Sequence, residues 1–203
     1  MSKTKSTLVK ESYNKIAKTY HKQRNKYNST HLLLKFKKLV PKGSKVLDMG
    51  CGAGVPVSKF LTMNGYDVTG IDFSSSMLKL AKKNVPEAKF FEMDMTKLKF
   101  KSNSFEGLVS FYAIIHVPKE KHAKIYKSLH RILKPNGIIL ITVGTCDWEE
   151  TVDNYLGAPM FWSIINPEKT LKLLKNSGFK ILWSKILKLG GENGFWIIAK
   201  NIK

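Results

Sequence analysis

Val46-Leu47-Asp48-Met49-Gly50-Cys51-Gly52-Ala53-Gly54 is the stretch that decides how the rest of the chain is read. An apolar run closes on an acidic residue, passes through glycines at every second position, and gives way to helical periodicity at Val57. Glycine is needed where a chain turns sharply and its backbone must approach a ligand closely. Strand end, glycine loop and helix together form a nucleotide-site signal that dinucleotide enzymes share. Two details depart from the dinucleotide fingerprint. Asp48 heads the loop, where a carboxylate suits a cationic amino group better than a pyrophosphate. Val57 takes the place where Gly-x-Gly-x-x-Gly, counted from Gly52, requires its last glycine.

Outward from the loop, short apolar runs alternate with helical stretches. The pattern predicts strands at 45–49, 67–71, 89–92, 105–111 and 137–143, with helices at 57–64, 75–84 and 119–133 between them. Near-continuous apolar strands of this kind imply a parallel sheet covered on both faces. Pro135-Asn136-Gly137 predicts a turn before the fifth strand. A helix at 167–176 carries Pro167 in its first turn and Gly178 as its stop. Strands at 179–189 and 194–199 flank Gly190-Gly191-Glu192-Asn193, a hairpin that turns the last strand antiparallel. The expectation is an α/β fold, a three-layer α/β/α sheet of seven strands with the last antiparallel.

Ahead of the loop, residues 1–6 read as a frayed polar tail. Thr7 is placed to cap an amphipathic helix running to Arg24, with Leu8, Tyr13, Ile16, Ala17 and Tyr20 at helical spacing. A second helix, 31–40, is stopped by Pro41-Lys42-Gly43. Residues 146–166 gather Trp148, Tyr155, Met160, Phe161 and Trp162 around Gly157 and Pro159, break the repeat, and read as an insertion. No linker divides the chain. The expected organisation is one domain over 1–203: a helical segment at 1–40, a core at 41–143, the aromatic insertion at 146–166, and a closing helix and hairpin at 167–203.

A chain of 203 residues with 43% hydrophobic and 25% charged content is globular in composition. Its net charge of +20 is carried almost wholly by lysine, since only Arg24 and Arg131 are arginine. Lysine spreads a diffuse field that attracts anions, whereas arginine forks read phosphate and guanine edges bidentately. The charge therefore leaves a nucleic-acid partner open without favouring it. Cys51 and Cys146 lack CxxC spacing and read as reduced thiols, and no metal-ligand spacing occurs. No apolar run has the length of a membrane span, and residues 1–10 lack a signal peptide's apolar core. A cytoplasmic monomer or homodimer, away from membranes, is the expectation.

Five stretches together resemble the class I S-adenosylmethionine-dependent methyltransferases, of the methyltransferase-domain 11/25 type. Residues 46–54 are similar to the family's first motif, and Gly70-Ile71-Asp72-Phe73-Ser74 with Met77 to its second landmark. Phe91-Glu92-Met93-Asp94-Met95 resembles the segment that meets the adenine, Phe105 to Phe111 the fourth strand, and Leu133-Lys134-Pro135-Asn136-Gly137 the turn before the fifth. The resemblance runs in order from about 45 to 143 and implies S-adenosylmethionine as cofactor, with S-adenosylhomocysteine as product. It implies that the Gly50, Cys51 and Gly52 backbone passes along the methionine part, with Asp48 toward its amino group. Asp72 would hold the ribose hydroxyls, Phe73, Met77 and Phe111 would pack about the cofactor, and Asp94 with the Met95 backbone would meet the adenine. Glu106 departs from the family's usual Asp. An N-terminal helix of this kind closes as a lid in the family, which would let Tyr20 and Arg24 reach the site.

His116 follows the fourth strand at the carboxyl edge of the sheet, where ligands bind in open α/β folds. It can take a proton from a nucleophile or organise the loop, and both roles stay open. His21, His31, His122 and His130 read as helix-surface residues. Tyr20, Arg24, Tyr112, Tyr155 and Trp162 are the substrate-contact candidates, because inserted segments and loops tend to carry specificity. Residues 110–113 read Ser-Phe-Tyr-Ala rather than the Asn/Asp-Pro-Pro-aromatic motif of base and amide methylation, which favours a small-molecule acceptor. Three readings remain: a small-molecule methyltransferase, an RNA methyltransferase or RNA- and cofactor-binding module, and a nicotinamide oxidoreductase.

Overall fold

The apolar runs read above become five parallel strands in the computed structural model of the chain, which describes residues 4–24 and 28–203. These are β1 (Lys45–Met49), β2 (Asp67–Asp72), β3 (Lys89–Glu92), β4 (Phe105–Ser110) and β5 (Leu133–Val143). Two further strands, β6 (Trp148–Tyr155) and β7 (Ala158–Ile164), pair with each other in a separate antiparallel hairpin. The last two, β8 (Phe179–Leu189) and β9 (Glu192–Asn201), complete a seven-stranded sheet in the order β3-β2-β1-β4-β5-β9-β8. β9 runs antiparallel to both β5 and β8. The chain thus has the seven-stranded α/β/α architecture with an antiparallel last strand.

Alternation along the central strands sorts residues into two cores. Leu47, Leu108, Ile139 and Ile141 face α5 (His122–Ile132) and α6 (Pro167–Asn176). Val46, Val109, Ile138 and Leu140 face α2 (Thr30–Lys37) and α3 (Val57–Met63). Burying each such side chain is worth about 1.5–3 kcal/mol, which fixes strand register because a one-residue slip exchanges the faces. A third core lies over the carboxyl edge of the sheet. There α1 (Lys5–Arg24) sets Val9, Tyr13 and Ile16 against Met77 of α4 (Ser75–Asn84) and Met160 and Phe161 of β7.

Several local expectations change. α1 begins at Lys5, and Thr4 rather than Thr7 caps it, its Oγ1 accepting from Thr7 N at 3.2 Å. Of the expected tail, residues 1–3 lie outside the described residues, while Lys5 and Ser6 are helical. α2 ends at Lys37, short of Val40. The helix expected from Lys119 is a single 3-10 turn, Lys119–Lys121, followed by α5. The insertion at 146–166 is the β6–β7 hairpin; its alternation is obscured because several aromatic side chains on it are only partly buried. β9 starts at Glu192, so the turn shrinks to Gly190-Gly191. His122 is buried, not on the surface, its Nε2–H donating to Val117 O at 2.8 Å. His130 is half-buried and bonded to Asn201 through Nδ1. No helix among the described residues is long and apolar enough to cross a membrane.

Candidate active site

β1 places the first carboxylate. Asp48 is 2% exposed, and its Oδ2 accepts from Ser58 Oγ at 2.6 Å. Burial lifts its pKa to about 7, with the Ser58 hydrogen bond opposing the shift. The strand then breaks because Gly50 and Gly52 take φ of 75° and 51°, backbone that costs a side-chain-bearing residue strain. Gly50 N and Cys51 N both donate to Ile71 O, at 2.8 and 2.9 Å, fastening the loop to the end of β2. A Cβ at Gly50 would collide with Ala113, whereas one at Gly52 would meet nothing within 4 Å. The loop is packed at its start and open where a ligand can run along it.

Asp72 ends β2 and accepts from two backbone donors, Gly52 N at 3.0 Å and Ser74 N at 2.9 Å. Burial raises its pKa to about 6 against those hydrogen bonds. Asp94 follows β3, its Oδ1 accepting from Thr96 N and Thr96 Oγ1, each at 2.8 Å, and caps the one-turn helix Met95–Lys97. Among the described residues none of the three acids is ion-paired. In a chain of net charge +20, the cleft floor is thus lined by unpaired acids.

Three adjoining chambers open along this edge, and Tyr20 and Tyr112 border all of them. The first holds Asp72, Phe73, Met77, Asp94, Met95, Phe111 and His116. The second holds Asp48, Gly50, Cys51 and Gly52, with Arg24 from the end of α1. The third is walled by Arg24, His116, Tyr155 and Trp162. The structure therefore sets every candidate cofactor, catalytic and substrate residue in the wall of one of three neighbouring chambers. Tyr112 sits there at φ 55°, a left-handed conformation unusual for a bulky residue, of the sort that collects at ligand sites.

His116 is engaged on both nitrogens. A carbonyl can only accept, so the 2.8 Å contact with Phe161 O fixes the proton on Nδ1. Nε2 is then the acceptor for Tyr13 OH, also at 2.8 Å. Burial holds the ring's pKa down near 4, with the Phe161 bond opposing. In this arrangement His116 has no lone pair for a nucleophile's proton, and the loop-organising role is the one its geometry supports. It joins α1 to β7 across the end of the sheet.

A methyltransferase-domain family model matches residues 46–137 of the chain. A solved S-adenosylmethionine-dependent methyltransferase from Methanosarcina mazei superposes with a TM-score of 0.73 at 25% identity, over 83% of this chain and 97% of that one. Over residues 46–137 and in its fold the chain is similar to the class I S-adenosylmethionine-dependent methyltransferases. Among curated relatives, it is 28% identical over 167 residues to a sterol 24-C-methyltransferase of Aspergillus fumigatus, covering 73% of the chain and 43% of the relative. It is 30% identical over 151 residues to a demethylmenaquinone methyltransferase of Listeria welshimeri, covering 68% and 62%. The chain spans less than two thirds of the length of either relative.

The family's cofactor carries positive charge at its sulfonium and its amino group beside one carboxylate, and the buried Asp48 and half-buried Asp72, neither ion-paired, fit those positive groups. Several groups that complete the cleft escaped sequence reading. Asn14 Oδ1 accepts from Ser74 Oγ at 2.7 Å and Ser76 N at 3.2 Å, tying α1 to the second motif. Its signal was faint: one polar residue beside Tyr13 on an apolar helix face. Ser29 and Trp196 line the second chamber, and Glu192 and Asn193 the third. Nothing in a turn-like Gly-Gly-Glu-Asn marks it as a chamber wall. Glu106, the family departure, accepts from Lys45 N at 2.8 Å at the opposite edge of the sheet, away from the cleft.

Proposed function

We propose that this chain transfers a methyl group from S-adenosylmethionine to a small-molecule acceptor seated in the third chamber. The carrying observation is the row of acids without ion-pair partners, Asp48 buried and Asp72 half-buried, along an open glycine loop. When bound, the cofactor supplies an electrophilic methyl carbon on sulfur, and the acceptor's lone pair forms the new bond as the carbon–sulfur bond breaks, leaving S-adenosylhomocysteine. The protein's own residues bind, orient and exclude water. Asp72 would hold the ribose hydroxyls, and Asp94 with the Met95 backbone would meet the adenine. Phe73, Met77 and Phe111 would pack about the cofactor. Asp48 and the Gly50-Cys51-Gly52 backbone would take the methionine part.

Residues 1–40 act as a lid in this reading and 146–166 as a substrate cap. Support comes from Ser12 Oγ donating to Pro159 O, and from the Tyr13–His116 and Asn14–Ser74 bonds, which hold α1 to both sides of the cleft. The named relatives act on a sterol and on demethylmenaquinone, which supports a small-molecule acceptor. Two unpaired cysteines support a reducing, cytoplasmic setting. The net charge of +20 favours RNA as the second reading, and it predicts RNA binding with a steep salt dependence.

Thermal shift with S-adenosylmethionine, S-adenosylhomocysteine and NAD(H) tests the cofactor. The first two are expected to raise the melting temperature and NAD(H) to leave it unmoved. No shift with either of the first two overturns the reading. Transfer of labelled methyl to RNA, and to none of a small-molecule panel, would replace the acceptor class.

A further inference from the structure

Six aromatic side chains border the third chamber: Tyr13, Tyr20, Tyr112, Trp148, Tyr155 and Trp162. Its cavity volume of about 310 Å³ is at the lower end of the range that takes a small molecule. The rings are ordered against one another. Trp148 and Trp162 stack at 5.9 Å with planes 25° apart, and Tyr155 meets Trp162 edge-on at 5.0 Å. Trp148 remains 40% exposed at the chamber wall.

From these observations we infer that the third chamber selects a flat aromatic acceptor, whose attacking atom has its lone pair ready before it binds. This inference rests on the methyltransferase reading of the cleft. Aromatic faces and edges take a planar ring better than a saturated body of equal size, because offset and edge-to-face contacts add to simple burial. A cationic amine is the obvious competitor, since aromatic faces also attract cations. Here that position is filled. The Arg24 guanidinium lies 3.9 Å from the Tyr112 ring centroid and 5.6 Å from that of Tyr20, held at the chamber by Glu192 at 3.2 Å. A second cation beside it would be repelled.

The second half of the inference follows from the proton bookkeeping of His116. It is the chamber's only histidine among the described residues, and its Nδ1–H is given to Phe161 O while Nε2 receives Tyr13 OH. The chamber's one carboxylate among those residues, Glu192, is the partner of Arg24. An acceptor whose attacking atom ionises readily, such as an acidic phenol, or a ring nitrogen with a free lone pair, requires neither group to act as a base.

Calorimetric titration of naphthol into the chain saturated with S-adenosylhomocysteine tests the inference, because the product occupies the chambers in which a planar ring could otherwise lodge. The fully saturated decalin alcohol and tetramethylammonium serve as matched probes. Naphthol is expected to bind and the other two to give no heat. Trp162→Leu and, as a second variant should that one not fold, Tyr155→Leu are each expected to weaken naphthol about two- to tenfold, with S-adenosylhomocysteine affinity unchanged. Equal binding of naphthol and the decalin alcohol, or stronger binding of tetramethylammonium, overturns the inference and leaves the cofactor reading intact. Failure of S-adenosylhomocysteine to bind overturns the methyltransferase reading instead, and naphthol titrated alone then still decides the chamber.

Discussion

Asp48, Asp72 and Asp94 stand at or just past the ends of three neighbouring parallel strands, whereas Tyr13, Arg24, His116, Trp162 and Glu192 come from α1, the loop after β4, the β6–β7 hairpin and the β8–β9 turn. The first group is positioned by sheet register, which buried alternating side chains hold fixed. The second is positioned by side-chain bonds between elements far apart in the chain, such as Tyr13 to His116 and Arg24 to Glu192. One half of the cleft is therefore backbone-built and acidic, suited to a cationic ligand. The other is side-chain-built and aromatic, free to change with each acceptor while the first stays the same.

Substitutions can break that contrast, the largest effect first. Gly50→Val meets Ala113 at positive φ and is expected to cost about 2–5 kcal/mol in stability. Gly157→Ala in the hairpin turn, also at positive φ but with nothing within 4 Å, should cost only about 1–2 kcal/mol by chemical denaturation. Asp72→Asn removes a charge-assisted acceptor, and S-adenosylhomocysteine affinity by calorimetry should drop by about 2 kcal/mol, roughly thirtyfold. Comparable weakening from Trp162→Leu would erase the division between the two halves.

His116→Phe keeps a ring but leaves Tyr13 OH without its acceptor in a buried site, an expected loss of about 1–3 kcal/mol in stability. Activity should fall without a shift in the pH–rate profile; loss of a titrating limb would instead restore His116 as a base. Next come the acids. Burial raises Asp48 to about 7 and Asp72 to about 6, so the folded chain keeps protons that the unfolded chain has released. Their contribution to stability is fully present below the ordinary carboxylate pKa, 3.8, and is lost progressively as pH rises from there to about 6 for Asp72 and about 7 for Asp48. The ligand's ammonium group beside Asp48 favours the ionised acid, so affinity runs the other way. The dissociation constant of S-adenosylhomocysteine should rise up to about tenfold per unit as pH falls below 7, and a flat profile would separate these acids from the ligand's charge. Smallest of all, Glu192→Gln breaks a half-exposed pair with Arg24 and should cost less than about 1 kcal/mol, read as a modest change in acceptor KM.

Much of the cofactor half was legible because its signals are local. A glycine loop after an apolar strand, an acid at the next strand end and a third acid after β3 lie within about fifty residues in fixed order, a consequence of strand–helix repetition. The acceptor half gave only composition: aromatic residues at 148–162, tyrosines seven apart on α1, a histidine in a loop. The β6–β7 hairpin escaped because its strands form their own two-stranded sheet and pack against α1, so burial does not alternate as it would on a flat core. Glu192 and Asn14 escaped because their meaning depends on partners 168 and 60 residues away.

By itself, then, the sequence determined the seven-stranded sheet, its antiparallel last strand and the acidic glycine-loop cleft, because period, turn residues and motif spacing are short-range quantities. Tertiary structure alone decided which nitrogen of His116 holds the proton, which face Arg24 occupies, and that six aromatic rings wall one chamber. Those facts are distances between residues the chain brings together only after its cores have packed, and no local pattern records them.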